Sequence, residues 1–127
     1  MYKEFIIIIT VIVLVVGLDF ITNKYTKNTV EIMSDELNIM REYILKEDKE
    51  KTEEQMQSIK NKWEERYKIL AFYLEHDELE KVKTELTGLS AFLSVEEYNE
   101  CICKIDTSIF ILGHIQEKEE FHLRSIF

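Results

Sequence analysis

Apolar residues recur at helical spacing along nearly the whole chain. After a continuous apolar stretch at the N-terminus, they return at steps of three, four or seven residues, which is the repeat of one face of an α-helix. Four stripes follow one another: Val30, Met33, Leu37, Met40 and Ile44; Met56, Ile59, Trp63, Leu70 and Leu74; Leu79, Val82, Leu86, Leu89 and Leu93; Tyr98, Ile102, Ile105, Ile109 and Leu112. The pattern predicts an all-α fold whose helices bury these stripes in a shared core.

Capping residues and charged runs suggest where the helices begin and end. Ser94 with Glu97 three residues later, between the apolar Leu93 and Tyr98, is the pattern of a capping box with its hydrophobic staple. Asp77 is a second candidate cap. The predicted helices cover residues 23–46, 49–75, 78–93 and 95–115. Because their connections are short, each helix is expected to run antiparallel to the previous one, as an up-down four-helix bundle of two helical hairpins.

Residues 5–21 form an apolar stretch, FIIIITVIVLVVGLDFI, with Asp19 near its end. At ~1.5 Å per residue, it covers roughly 25 Å of a hydrocarbon core that is ~30 Å thick. A cleaved signal peptide is the alternative, but neither a small-residue cleavage site nor a lipid-accepting Cys follows. We therefore expect residues 1–22 to be an uncleaved transmembrane anchor. Residues 23–127 are then an acidic helical bundle domain with an apolar C-terminal tail, and the first bundle helix continues directly from the anchor.

The basic residues beside the anchor do not decide its orientation. Lys3 lies before it, and Lys24 and Lys27 lie after it, so the positive-inside rule gives no clear answer. A head of four residues is the usual form of a signal-anchor whose amino end is in the cytoplasm. We therefore expect a single-pass protein of the cell membrane with its helical domain outside the cytoplasm.

Composition excludes several classes of protein. The 127 residues contain 16 Lys and Arg against 25 Asp and Glu, a net charge of −9, which argues against a nucleic-acid binder. The chain has no Pro and three Gly, and it lacks a Gly-rich phosphate loop or a nucleophile motif. Cys101 and Cys103 point to opposite sides of a helix, so we expect one in the core and one near the surface. The sequence predicts no enzyme and no cofactor.

Two histidines fall at the predicted membrane-facing ends of the second and fourth helices. His76 and His114 could approach each other there, with the carboxylates of Glu75, Asp77 and Glu117 nearby. One interpretation is a metal site or a pH-sensitive contact. The other, which we favour, is that both histidines form hydrogen bonds with the ends of helices and with neighbouring carboxylates, a favourable position for histidine at a helix C-terminus. This set is therefore a candidate polar cluster, and no metal site is predicted.

The C-terminal residues are unusually apolar for a solvated tail. Phe121, Leu123, Ile126 and Phe127 fall within the last seven residues. They could pack back over the base of the bundle, contact the bilayer or dock on a partner. We expect packing back, and we keep these four residues as the candidate interaction site.

The chain resembles a family of small clostridial, spore-former membrane-anchored proteins catalogued only as a domain of unknown function. The resemblance rests on the apolar N-terminus, Trp63, the Leu74-Glu75-His76 string and the segment His114-Ile115-Gln116-Glu117-Lys118-Glu119. It covers nearly the whole chain and departs at Ser125, where members tend to have Asn. The resemblance implies no activity, but it suggests a small multi-pass membrane protein as partner.

Together these features predict a non-enzymatic accessory or interaction module for a membrane partner. It would be held in the lipid bilayer through residues 5–21, with no nucleic-acid partner, and self-association is left open. The alternative is a helical bundle that senses a ligand or metal through the His76/His114 end. Binding of a metal or metabolite by the helical domain would favour that alternative, whereas capture of a membrane partner would favour the interaction module.

Overall fold

The computed structural model describes residues 1–126, with side chains through residue 125. Over this range the chain forms four α-helices and no strand: α1 (Tyr2–Leu45), α2 (Lys49–Leu70), α3 (His76–Ser94) and α4 (Tyr98–Ile126). The all-α prediction is confirmed. The predicted continuity between the apolar stretch and the first bundle helix is also confirmed, because α1 is a single uninterrupted helix.

The two halves of α1 differ in burial. The side chains of residues 1–15 are all exposed, whereas from Thr26 onward one face of the helix is buried. Within the described residues, α1 is the one helix long and apolar enough to cross a membrane, judged by length and composition. Its second half belongs to the bundle.

The predicted stripes form one buried core. The helices are neighbours in a ring, α1 with α2, α2 with α3, α3 with α4 and α4 with α1, and α2 and α3 are the least closely packed pair. Trp63 is 5% exposed, as its place in the second stripe predicted. The largest fully buried hydrophobic residues are Met33, Leu37, Met40, Ile59, Leu79, Leu89, Ile105, Leu112 and Val82.

The α1–α2 and α3–α4 hairpins repeat the same burial pattern 49 residues apart. Glu36 accepts a hydrogen bond from Gln55 in the first hairpin, and in the second Glu85 pairs with Lys104 at the corresponding position. The following matched pairs are buried in both copies: Val30/Leu79, Met33/Val82, Leu37/Leu86, Met40/Leu89, Thr52/Cys101, Met56/Ile105, Ile59/Ser108 and Trp63/Leu112. The bundle is thus built from two similar hairpins.

The connections inside the two hairpins share one backbone geometry. Glu47 and Glu96 have positive φ angles of 58° and 57°. The amide of Asp48 donates to the carbonyl five residues earlier, as does the amide of Glu97, each at 3.0 Å. This is the bonding of a Schellman motif, in which the left-handed position is usually Gly. An ion pair between Lys49 and Glu96 brings the two connections together.

Two predicted helix starts are corrected by the structure. Asp77 lies inside the first turn of α3, so it is not the cap. Ser94 is the last residue of α3, and its hydroxyl donates to the carbonyl of Ala91 at 2.6 Å. The capping-box prediction is wrong because the chain reverses at Glu96, two residues later, and α4 begins only at Tyr98.

The second and fourth helices also end elsewhere than predicted. α2 ends at Leu70, because residues 71–75 turn sharply toward α3. α4 does not end at residue 115 but continues to Ile126. Side-chain hydrogen bonds one turn apart accompany this extension, from Gln116 to Glu120 at 3.2 Å and from Ser125 to the carbonyl of Phe121 at 2.9 Å.

Candidate functional site

An open cleft separates α2 from α3, and we call it the α2/α3 groove. Its volume is about 560 Å³, which is within the usual range of ligand sites. Eight residues line it: Lys60, Trp63, Glu64, Tyr67 and Lys68 from α2, and Lys83, Leu86 and Thr87 from α3. On each helix these residues are three or four positions apart and therefore share one face.

The floor of the α2/α3 groove is aromatic and aliphatic. Trp63 and Leu86 are both buried, and Tyr67 is half-buried. The rings of Trp63 and Tyr67 are 6.2 Å apart between centroids and inclined by 54°, a favourable arrangement for two aromatic side chains. The floor is therefore a formed surface built on the core, with Tyr67 reaching toward the opening.

The α2/α3 seam differs from the other three seams of the ring in its polar contacts. Arg41 pairs with Asp106 between α1 and α4. Similar pairs are Lys62 with Glu36 between α1 and α2, and Lys104 with Glu85 between α3 and α4. Among residues 1–125, no hydrogen bond or ion pair joins α2 to α3.

Positive charge dominates the rim of the groove. Three lysines, Lys60, Lys68 and Lys83, line it with a single carboxylate, Glu64. Within the described residues, none of the three has a carboxylate oxygen within 4.0 Å, although four other lysines do. A chain with a net charge of −9 therefore carries a locally basic apolar groove.

Among the described residues, no hydrogen bond or ion pair joins two members of the predicted His76/His114 cluster. His76 is exposed and lies 3.4 Å from Glu80 on its own helix. His114, Asp77 and Glu117 are also exposed. The described residues contain no group of three or more His, Cys, Asp or Glu side chains placed to hold a metal ion.

A different polar network occupies this end of the bundle, and Lys118 is at its centre. The Lys118 Nζ atom lies 3.1 Å from Glu75 and 3.4 Å from Glu78, and these carboxylates raise the pKa of the lysine. Of the predicted cluster, Glu75 is thus the member that reaches α4. At this end of the bundle a lysine thus lies between two carboxylates, one of which, Glu75, belongs to the candidate polar cluster.

Tyr73, in the second connection, attaches this end of the bundle to α1. Its hydroxyl donates to the carbonyl of Thr22 at 3.0 Å and lies 2.7 Å from the hydroxyl of Thr26. Glu119 of α4 lies nearby. Its pKa is raised mainly by burial and further by the charge of Asp19, and His122 partly offsets both.

The predicted interaction residues of the tail belong to α4. Phe121 is 73% exposed and Leu123 is half-buried. The side chains of Ile126 and Phe127 lie outside the described residues. Packing back is therefore wrong for Phe121, because the chain continues as a helix instead of reversing over the base of the bundle.

Cys101 is buried and Cys103 is exposed, as their spacing predicted. Burial raises the pKa of the Cys101 thiol, which makes it a poor nucleophile at neutral pH. Its position matches that of Thr52 in the first hairpin, so Cys101 is a core residue.

The sequence did not point to the α2/α3 groove. The only signal was the basic and aromatic spacing of Lys60, Trp63, Tyr67 and Lys68 on one helix face. The same spacing is also typical of residues that are buried against a neighbouring helix, as Trp63 is. Which pair of helices would remain open could not be derived from the apolar stripes.

Comparison with protein families shows where this chain belongs. Searches of curated proteins and of solved structures give no match. A family model matches residues 20–126, which include the whole bundle and leave out most of the apolar stretch. The chain belongs to the DUF4363 family, a domain of unknown function.

Proposed function

We propose that this protein is a non-enzymatic, membrane-anchored interaction module that docks an acidic amphipathic helix of a membrane partner in the α2/α3 groove. In this proposal, residues 5–21 of α1 span the cell membrane with the amino end in the cytoplasm. An up-down four-helix bundle then stands outside the membrane. The observation that carries the proposal is a basic groove with an aromatic floor in an otherwise acidic chain.

The anchor is supported by the exposure of apolar side chains. Residues 1–15 include eleven consecutive positions from Phe5 to Val15 that are apolar apart from Thr10, and all of them are exposed. A soluble protein rarely leaves so large a continuous apolar surface in water. Inside a bilayer the same side chains contact lipid, and every backbone group of this segment is satisfied within the helix.

The shape of the α2/α3 groove suits a short helical segment. Lys60 and Lys68 mark its length along α2, a distance of about 12 Å at ~1.5 Å per residue. That length matches about two turns of a docked helix, which would place two or three apolar side chains on Trp63, Tyr67 and Leu86. Helix-in-groove recognition uses anchors at this spacing.

Charge decides which helix fits. A docked segment that carries carboxylates beside its apolar face would meet Lys60, Lys68 and Lys83, none of which has a carboxylate oxygen within 4.0 Å among the described residues. A basic segment would meet the same lysines and be repelled. Complementary charge also speeds encounter, so binding is expected to weaken with salt.

Site-specific photo-crosslinking in cells tests the proposal. A photoreactive phenylalanine analogue in place of the groove residue Thr87 should form an adduct with one membrane protein. The same analogue in place of Asn99, an exposed residue on α4 away from the groove, is the position control. Mapping of the adduct should identify an acidic amphipathic helix as the attached segment.

A matched pair of charge reversals checks the mechanism. Lys83 and Lys81 are both exposed on α3, but only Lys83 lines the groove. Lys83→Glu should lower the yield of the Thr87 adduct at least fivefold, whereas Lys81→Glu should leave it unchanged. Equal yields from the two variants, or an adduct on a basic segment, would contradict the proposal.

A further inference from the structure

α4 extends beside the apolar stretch of α1, past the base of the bundle. The two helices run in opposite directions, because Arg41 pairs with Asp106, whereas Glu119 lies close enough to Asp19 to sense its charge. Residues farther along α4 therefore lie beside earlier residues of α1. Since α4 continues for seven residues beyond Glu119, to Ile126, its last two turns extend toward the apolar residues around Asp19.

Burial along α1 supports this placement. The side chains of residues 1–15 are exposed, but Val16, Gly17 and Asp19 are partly covered. Tyr73 of the second connection contacts Thr22 and Thr26, which lie one to two turns further into the bundle. It lines one cavity together with Glu119, Phe121 and His122, so this part of α4 lies near the level of Thr22 and continues from there toward Val16.

Large aromatic side chains are exposed at the same end of the molecule. Phe121 on α4 is 73% exposed, and Phe72 in the second connection is 89% exposed. Phe72 precedes Tyr73, whose hydroxyl is bonded to Thr22, so it lies close to the end of the apolar stretch. Both rings are thus placed where α1 leaves its apolar segment.

We infer that the last two turns of α4, residues 120–126, enter the bilayer interface beside residues 16–21 of α1, with Phe121 in contact with lipid. This rests on the membrane span of the proposed function. A segment that lies beside α1 at this level is at the same depth in the membrane as the neighbouring residues of α1. Phe121 lies about 3 Å further toward the apolar stretch than Glu119, at ~1.5 Å per helical residue. Lipid covers the exposed ring there.

The chemistry of this end suits an interface. Its backbone groups are satisfied inside a helix, which allows the segment to leave water. Aromatic rings favour the level of the headgroups. The side chains of Glu120 and Arg124 are long enough for their charged ends to reach the headgroup layer while their methylene groups remain beside the lipid acyl chains. The net charge is small, so binding needs no anionic lipid.

Tryptophan quenching by lipids that carry bromine near the headgroup end of the acyl chain tests the inference. The full-length protein is reconstituted in zwitterionic vesicles, and Phe121→Trp is compared with Phe110→Trp. These residues are 73% and 75% exposed and lie three helical turns apart on the same face of α4. Leu14→Trp, within the apolar stretch, reports whether the anchor itself is inserted. Trp63 is retained, and the wild-type signal is subtracted.

We expect strong quenching of Leu14→Trp and Phe121→Trp, and at least threefold weaker quenching of Phe110→Trp. If Leu14→Trp is quenched but Phe121→Trp is no more quenched than Phe110→Trp, the inference is overturned and the anchor stands. If Leu14→Trp is not quenched, the anchor and the inference both fail. None of these outcomes bears on the α2/α3 groove, which is tested separately.

Discussion

The two hairpins of this protein have the same internal design but meet each other through two different seams. Matched core positions are buried in both, and both connections reverse through a left-handed glutamate. The α1/α4 seam is closely packed, whereas its counterpart, α2/α3, opens into a groove. The repeated core pattern of the two hairpins therefore does not make the two contacts between the hairpins equivalent.

Two matched positions illustrate the difference in polar contacts between the two seams. Arg41 and Asp106 form an ion pair across α1 and α4, and 49 residues away the corresponding positions hold Ser90 and Gln57. Gln57 instead donates to Asn61 on its own helix at 3.1 Å. A short hydroxyl and an amide engaged within α2 leave no polar link across α2 and α3. The α2/α3 seam thus lacks the counterpart of the α1/α4 ion pair at its matched positions, although the matched core positions are buried in both hairpins.

The largest expected effect compares the same core position in the two hairpins. Trp63→Ala should reduce the free energy of unfolding by about 3–5 kcal/mol, and Leu112→Ala by about 2–5 kcal/mol, because both residues are buried. Denaturant unfolding of the full-length protein in micelles measures both. A loss below about 1 kcal/mol for Trp63→Ala would show that the groove lacks a formed floor.

A second prediction concerns a matched pair with different chemistry, Leu70 and Glu119. Leu70 is buried, whereas the pKa of Glu119 is raised above its ordinary value of 4.5 by burial and by Asp19. A raised pKa means that the folded state binds more protons than the unfolded state. Stability from this group is therefore present below pH 4.5 and is lost as the pH rises through the raised value.

Glu119→Gln should accordingly stabilise the protein at neutral pH and flatten the dependence of its stability on pH. Unfolding of the wild type and of the variant across acidic to neutral pH measures this. Glu117→Gln, an exposed change on the same helix, is the control and should leave the dependence unaltered. A wild-type stability that increases over that range through Glu119 would contradict the assignment.

The third prediction sharpens the comparison of the two connections. Glu47→Gly should stabilise the protein by about 0.5–1 kcal/mol, because a left-handed backbone is unfavourable for residues with a Cβ and costs Gly only chain entropy. Glu96→Gly should gain less, because Glu96 also pairs with Lys49. Thermal unfolding distinguishes the two. Destabilisation by Glu47→Gly would mean that this connection is not left-handed.

A fourth prediction exchanges the chemistry of the seams. Arg41→Ser and Asp106→Gln give α1/α4 the residue types found at the matched positions of α2/α3. A double-mutant cycle should give a coupling of about 0.2–1 kcal/mol, because the pair is largely accessible to solvent. The coupling should shrink at high salt. No coupling at low salt would mean that this ion pair does not help close the seam.

The smallest effect concerns Ser94, which the sequence made a helix cap. Since its hydroxyl bonds to Ala91 within α3, Ser94→Ala should change the unfolding free energy by less than about 0.5 kcal/mol. Asp48→Ala is the matched comparison, because Asp48 does cap α2 by accepting from the amide of Lys51 at 3.2 Å. It should lose about 1 kcal/mol. Equal losses of unfolding free energy from Ser94→Ala and Asp48→Ala would show that Ser94 does cap a helix.

The sequence by itself determined the class of fold and most of the core. The stripes that include Met33, Ile59, Leu86 and Ile105 are buried as their spacing predicted, because helical periodicity and burial of apolar surface are local properties. The continuity of α1 followed from residues 23–28, which contain nothing that stops a helix. The opposite burial of Cys101 and Cys103 likewise followed from their spacing.

Only the tertiary structure decided where the chain reverses and which seam opens. Ser94 and Asp77 both carry side chains that could cap a helix, but α3 begins at His76 and the chain reverses at Glu96 before α4. The opening between Trp63 and Leu86 depends on contacts between helices that are distant in sequence. Apolar stripes specify that a face is buried, but they do not specify how closely two such faces approach each other.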